Sequence, residues 1–102
     1  MYNIFINQPF FEWDERKNAH NQRKHGISFA EARSVFLNEN AGEAVDPDHS
    51  QEEERYILAG VSERLRVLVV CYCYRRNYRM IRIISARKAD RKEEEIYWRA
   101  VQ

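Results

Sequence analysis

Arg66-Val67-Leu68-Val69-Val70-Cys71-Tyr72-Cys73-Tyr74-Arg75-Arg76-Asn77-Tyr78-Arg79-Met80-Ile81-Arg82-Ile83-Ile84-Ser85 is the stretch that decides the fold. Its first half, from about Leu65 to Tyr74, is β-branched and aromatic and contains no glycine or proline. Successive side chains of a strand point to opposite faces, which sorts Val67, Val69, Cys71 and Cys73 from Leu68, Val70, Tyr72 and Tyr74. Both sets are apolar, so the pattern predicts a central strand covered on both sides. Arg75-Arg76-Asn77 reads as a short hairpin turn. A second strand follows from about Tyr78 to Ser85. Strict alternation divides it into Met80, Arg82 and Ile84 on one face and Arg79, Ile81, Ile83 and Ser85 on the other. One face therefore mixes apolar residues with an arginine.

Working outward, a further strand is expected at about Glu54 to Gly60, before the central one. Residues 38–51 carry turn chemistry, with Asn38, Asn40, Gly42 and Asp46-Pro47-Asp48-His49-Ser50, and read as loop. Towards the N-terminus, Ser28-Phe29-Ala30-Glu31 has the spacing of a capping box, and Phe29, Ala32, Val35 and Phe36 recur at helical spacing behind it. An earlier, mostly polar helix is predicted from Glu15 to Lys24, with Asp14 as N-cap and Gly26 placed for a left-handed C-cap. Asn3 to Ile6 and Phe10 to Trp13 read as an extended start broken by Pro9. At the other end, residues from about Ala89 to Val101 have helical composition, with Ile96, Tyr97 and Ala100 forming a narrow apolar stripe. The order is a short extended start, two helices, an antiparallel meander and a last helix. No βαβ alternation appears, so the fold class is α+β.

The 102 residues suffice for a single domain with one core. The net charge of +1 hides an asymmetry. Residues 38–63 hold eight acidic side chains against Arg55 alone, whereas residues 75–92 hold eight basic ones against Asp90 alone. A strand that ends in a polar turn and a basic helix holds guanidinium groups at fixed separations, as a phosphate backbone requires. The plainer account of such a run is a solvated face, neutralised by the acidic segment. The chain contains no apolar run of the roughly 18 residues a membrane span needs. The N-terminus lacks the basic start and cleavage site of a signal peptide, so a cytoplasmic protein is expected.

Cys71 and Cys73 stand at i and i+2 of a strand, a poor arrangement for a mutual disulfide, and read as core thiols. An apolar strand raises a thiol pKa, which argues against a cysteine nucleophile. His20 and His25 are five residues apart and do not share a helix face, so no metal or other cofactor is expected.

Taken together, Phe11-Glu12-Trp13-Asp14, Lys17, Asn21, Lys24-His25-Gly26, Phe29, Ala32, Asp46-Pro47-Asp48-His49-Ser50, Glu54-Arg55, Arg66, Arg82-Ile83-Ile84-Ser85-Ala86-Arg87 and Glu93 resemble the BrnT family over about residues 10–98. These are ribonuclease toxins of type II toxin–antitoxin pairs. The resemblance implies a small RelE-like domain with an antiparallel sheet of about four strands, two N-terminal helices and one C-terminal helix. It also implies RNA cleavage that stops translation. A ribbon-helix-helix antitoxin of the BrnA type would be the partner, in a heterotetramer that binds operator DNA through the antitoxin.

Metal-free RNA cleavage needs the 2′-hydroxyl deprotonated, the phosphorane stabilised and the 5′-oxygen protonated. Arg66, Arg82 and Arg87 are the phosphate-stabilising candidates. His25 and Glu54 are the first choices for moving protons, histidine because it titrates near neutrality. His25 has a second reading as a cation at a helix C-terminus, and Glu54 as half of a cross-strand ion pair with Arg55. Lys24, His49, Arg55, Arg79 and Tyr72 complete the set as substrate-binding candidates, with His49 equally readable as a turn residue held by Asp46 or Asp48. Phe11, Trp13, Tyr97 and Trp98 are candidate anchors for the antitoxin, or core residues. The rival function is a non-catalytic module that binds nucleic acid or antitoxin within an operator-binding repressor complex.

Overall fold

Tyr72 explains the architecture. In the computed structural model, which describes residues 10–46, 48 and 53–102, its ring is 1 % exposed at the centre of the sheet. It lies on the middle strand of five, and the strands run in the order β1-β5-β4-β3-β2. They span Phe10–Glu12 (β1), Gly42–Val45 (β2), Arg55–Val61 (β3), Val67–Arg75 (β4) and Met80–Lys88 (β5). The helices are Glu15–His25 (α1), Phe29–Val35 (α2) and Arg91–Ala100 (α3). All strand pairs are antiparallel except β1 with β5, where Phe10, Phe11 and Glu12 lie in parallel register with Met80, Ile81 and Arg82.

β4 is the central strand that its two apolar faces predict. Leu68, Val70 and Tyr72 face α2 and bury themselves with Ile27, Phe29, Ala32 and Val35, together with Leu58 from β3 and Ile81, Ile83 and Ala86 from β5. α1 and α2 both lie on this face, and Gly60 lets α2 approach. A Cβ on Gly60 would stand 2.9 Å from both Ala41 Cβ and Val35 Cγ1.

The helix boundaries follow the capping signals. Asp14 accepts from the Arg16 and Lys17 amides, and Gly26 closes α1 at φ 71°. Ser28 accepts from the Glu31 amide, but the reciprocal half of the expected box is missing, because the Glu31 carboxylate is used elsewhere. The complete capping box is at α3, between Asp90 and Glu93.

Residues 38–51 are not all loop: Gly42–Val45 pairs with Tyr56–Ala59 and adds a fifth strand at the edge. Four residues with so many turn formers around them lack the length for a strand signal, so the pairing comes from the neighbour. The hairpin turn is Arg76–Arg79 and includes Tyr78 and Arg79, which alternation had put in the strand. Arg76, Asn77 and Tyr78 all take left-handed φ values of 53–68°, a conformation that costs non-glycine residues energy. The expected extended segment Asn3 to Ile6 lies outside the described residues. Among the described residues no helix is long and apolar enough to cross a membrane.

Candidate active site on the far face of the sheet

The chemistry gathers on the face of the sheet opposite α1 and α2, and a β-bulge puts it there. Cys71 pairs with Ser85, but Tyr72 pairs with Ile83, so Ile84 is an extra residue in β5. Strict alternation would send Arg82 and Arg87 to opposite faces. With Ile84 inserted, Ile81, Ile83 and Ala86 all enter the core, while Arg82, Ser85 and Arg87 all face the other way. The expected grouping of Ser85 with Ile81 and Ile83 is thereby overturned. Three rows cross this far face: Glu12, Arg82, Cys73 and Arg55; then Ala44, Ile57, Cys71 and Ser85; then Gly42, Ala59, Val69 and Arg87.

A cleft of about 410 Å³ opens over these rows, and its polar walls are His25, Asp46, Asp48, Arg55, Ser85 and Arg87. His25 belongs to α1 on the core side and reaches the cleft around the edge of β5. Asn21 makes this possible. It is 4 % exposed, its Nδ2 donates to the Ala86 carbonyl at 2.7 Å, and its Oδ1 accepts from the Ala86 amide at 3.1 Å. The carboxamide thus takes the place of a neighbouring strand where β1 has already ended, and satisfies a sheet edge that would otherwise stay unpaired. A third bond, Asn21 Nδ2 to the Ile27 carbonyl at 2.8 Å, fixes the turn after His25.

Arg87 is held rigidly. Its Nη1 and Nη2 donate to the two oxygens of Glu93 at 2.7 and 2.9 Å, a bidentate pair, and Nη1 also donates to the Lys88 carbonyl at 3.4 Å. These bonds from Arg87 hold the Glu93 carboxyl at about 2, against the desolvation that opposes them. Arg55 Nε is buried with no hydrogen-bond partner among the described residues. Arg82, one row away, pairs with Glu12 at 3.0 Å and does not line the cleft. Cys71 does line it, but burial and the Asp46 carboxylate raise its thiol pKa, so it remains a thiol. Among the described residues no group of three His, Cys, Asp or Glu side chains is placed to hold a metal ion.

Arg66 lies elsewhere. Its Nε donates to Glu31 Oε2 at 3.0 Å and its Nη2 to Glu31 Oε1 and the Gly26 carbonyl, so it grips the joint between α1 and α2 on the core side. Glu31 is 3 % exposed. Burial would raise its pKa, but the bonds from Arg66 and from Ser62 outweigh that and lower it. The structure therefore brings together His25, Arg55 and Arg87 from the expected set, and places Arg82 beside them and Arg66 behind them.

The other expected residues are scattered. Lys24 lines an adjoining cleft. Tyr72 is in the core and donates to Glu43, which also accepts from Tyr74 at 2.8 Å. Glu54 sits beside Tyr56 and Tyr74 at the hairpin end of the sheet. Arg79 is in the hairpin turn, and His49 lies outside the described residues. Phe11 and Trp13 pack edge-on against Phe36 and Phe29, and Tyr97 is buried, whereas Trp98 stays 44 % exposed. Asn21, Asp46 and Ser85 had carried no role at the site. Asn21 had a signal, a short amide in the middle of a helix whose neighbours prefer longer side chains; Asp46 and Ser85 had only their place in the residue pattern that resembles the family.

Comparison with known proteins agrees with this fold. The family model described as ribonuclease toxin, BrnT, of type II toxin-antitoxin system matches residues 13–93. No curated protein matches the chain. Among solved structures, the Brucella abortus ribonuclease toxin BrnT, a crystal structure at 1.1 Å resolution, superposes with a TM-score of 0.60 at 23 % identity, over 82 % of this chain and 100 % of that one. At that identity the superposition speaks for the fold, and the family match covers most of the chain, including α1, the bulge and Glu93. The chain belongs to the BrnT family of ribonuclease toxins of type II toxin–antitoxin systems.

Proposed function

We propose that this toxin is an endoribonuclease that works without a metal, with its reaction centre in the cleft between His25, Arg55 and Arg87. The observation that carries the reading is the bulge at Ile84, which puts Ser85 and Arg87 on the far face while Asn21 holds α1 close enough for His25 to join them. Bulges that redirect side chains are common beside active sites.

Arg87 and Arg55 carry the charge that builds on the phosphorane oxygens, Arg87 from the fixed orientation that Glu93 imposes. His25 accepts the 2′-hydroxyl proton as the oxygen attacks phosphorus, and the 5′-oxygen leaves with a proton from solvent. The products are a 2′,3′-cyclic phosphate and a 5′-hydroxyl. Arg82 adds positive potential one row away, and Arg66 acts as a positioning residue for the α1–α2 joint. RNA cleavage of this kind stops translation. The partner that restrains it is a ribbon-helix-helix antitoxin, in a heterotetramer whose antitoxin half contacts operator DNA, and the toxin acts in the cytoplasm. Trp98, exposed on α3 beside Ile96, is the anchor for that partner in this reading.

The test is cleavage of purified RNA in the presence of a chelator by wild type, His25→Ala and Arg87→Ala, with circular dichroism confirming the fold. Cleavage by wild type alone supports the reading. Equal cleavage by wild type and both variants places the centre elsewhere, and loss of wild-type cleavage on chelation shows that a metal is required.

A further inference from the structure

We propose that Arg16, His20 and Lys24 on α1 form a phosphate track that holds the RNA flank leaving the cleft, an inference that rests on the ribonuclease reading above. The three stand four residues apart, so they lie on one side of the helix at steps of about 6 Å. That step is comparable with the distance between successive phosphates of an extended single strand. A second cleft, of about 380 Å³, runs along this side of α1 and is lined by all three. It shares His25, Ile84 and Ser85 with the reaction cleft, so the two form one continuous path around the β5 edge.

Three observations separate this stripe from an ordinary solvated helix face. Among the described residues neither Arg16 nor Lys24 has a carboxylate within ion-pair distance, as Lys17, Lys88 and Arg99 also have none, but only Arg16 and Lys24 of these stand with His20 at four-residue steps along the cleft. The helix dipole accounts for Lys24 in the last turn but opposes Arg16 in the first, so Arg16 stands where local helix energetics disfavour it. The acidic residues of the reaction cleft, Asp46 and Asp48, follow β2 on its far side, whereas the residues that line the α1 cleft include no carboxylate. A polyanion seated at Arg87 is repelled from the Asp46 and Asp48 wall and drawn along α1.

The experiment measures the affinity of a short fluorescent oligouridine for wild type and for the double variant Arg16→Ala with Lys24→Ala, across a range of salt concentrations in chelator. Alanine suits exposed helix positions, so the variant keeps its fold. Each lost phosphate contact flattens the slope of log K against log salt by about 0.7, so the double variant is expected to be flatter by about 1.4. A fourfold rise in salt then costs it about sevenfold less affinity than it costs wild type. Arg91→Ala with Arg99→Ala on α3 removes the same net charge from another place and is expected to keep the wild-type slope. An unchanged slope in the α1 variant, or an equal loss in the α3 control, overturns the track while leaving the cleft intact. Wild type that binds no RNA overturns the ribonuclease reading itself. Unchanged RNA affinity with weakened antitoxin binding shows a protein interface and also refutes the track.

Discussion

Replacing Arg66 by alanine is the sharpest test of whether this arginine acts on RNA or on the fold. The change removes the donors at 3.0 Å and nearer from Glu31 and leaves a carboxylate that is 3 % exposed. Stranding one partner of a buried pair costs about 3–5 kcal/mol. The Ser62 hydroxyl still donates to Glu31 at 2.7 Å, and Arg66 is itself partly solvated at 27 % exposure, so about 2–4 kcal/mol is the expected loss. For a domain of this size each kcal/mol lowers Tm by about 4–8 °C, which makes a fall of at least about 8 °C the expected result. The pH dependence gives a second readout. In wild type the folded pKa of Glu31 lies below its usual 4.5, so its contribution to stability is full above 4.5 and is lost as the pH falls further. Without Arg66, burial dominates and the folded pKa moves above that of the unfolded chain, so protonation of Glu31 favours the folded variant. The Tm gap between the two proteins is therefore expected to narrow between pH 7 and 4. Thermal melts across that range, run beside RNA cleavage, check this. A second variant, Arg66→Met with Glu31→Leu, removes both charges and is expected to recover both Tm and cleavage. An Arg66→Ala protein that melts within about 2 °C of wild type yet fails to cleave would refute the positioning role and make Arg66 a group that touches substrate.

Deleting Ile84 restores strict alternation while keeping Ile81, Ile83 and Ala86 on the core face; the protein is expected to fold but to cleave RNA about 100-fold more slowly, because Ser85 and Arg87 shift relative to His25. Equal cleavage rates would show that the bulge does not set the site. Asn21→Ala leaves the Ala86 N–H and C=O unpaired at the β5 edge and is expected to cost about 2–4 kcal/mol in urea titration, with hydrogen exchange faster at Ala86 than in β4. Gly60→Ala pushes a methyl to 2.9 Å from Val35 and Ala41, and about 1–3 kcal/mol of destabilisation by thermal melt is expected. Because Glu93 stays ionised down to about pH 2, its share of stability is complete above pH 4.5 and fades only between there and 2. Any loss of cleavage between pH 7 and 5 is therefore expected to be the same in wild type and Glu93→Gln, and a limb that disappears in Glu93→Gln would contradict this.

What the sequence determined by itself was everything carried by short-range periodicity and capping. The two apolar faces of residues 67–74 specify a central strand, Asp14 and Gly26 delimit α1, and Ser28 starts α2, because these signals act within a few residues of one another. The family's residue pattern was legible for the same reason. Tertiary structure decided which of the polar residues meet. One extra residue in β5 reverses the facing of everything after it, so alternation carried on past Ser85 would separate Arg82 from Arg87 where the bulge unites them. Glu31 looked like a local capping partner and is instead bound to Arg66, 35 residues away. The parallel pairing of β1, the short edge strand β2 and the Asn21 carboxamide standing in for a strand at Ala86 likewise depend on partners distant in the chain. A hydrogen bond across 65 residues leaves no periodic trace in the sequence, and it is such bonds, from Asn21 to Ala86, that bring α1 and His25 to Arg87.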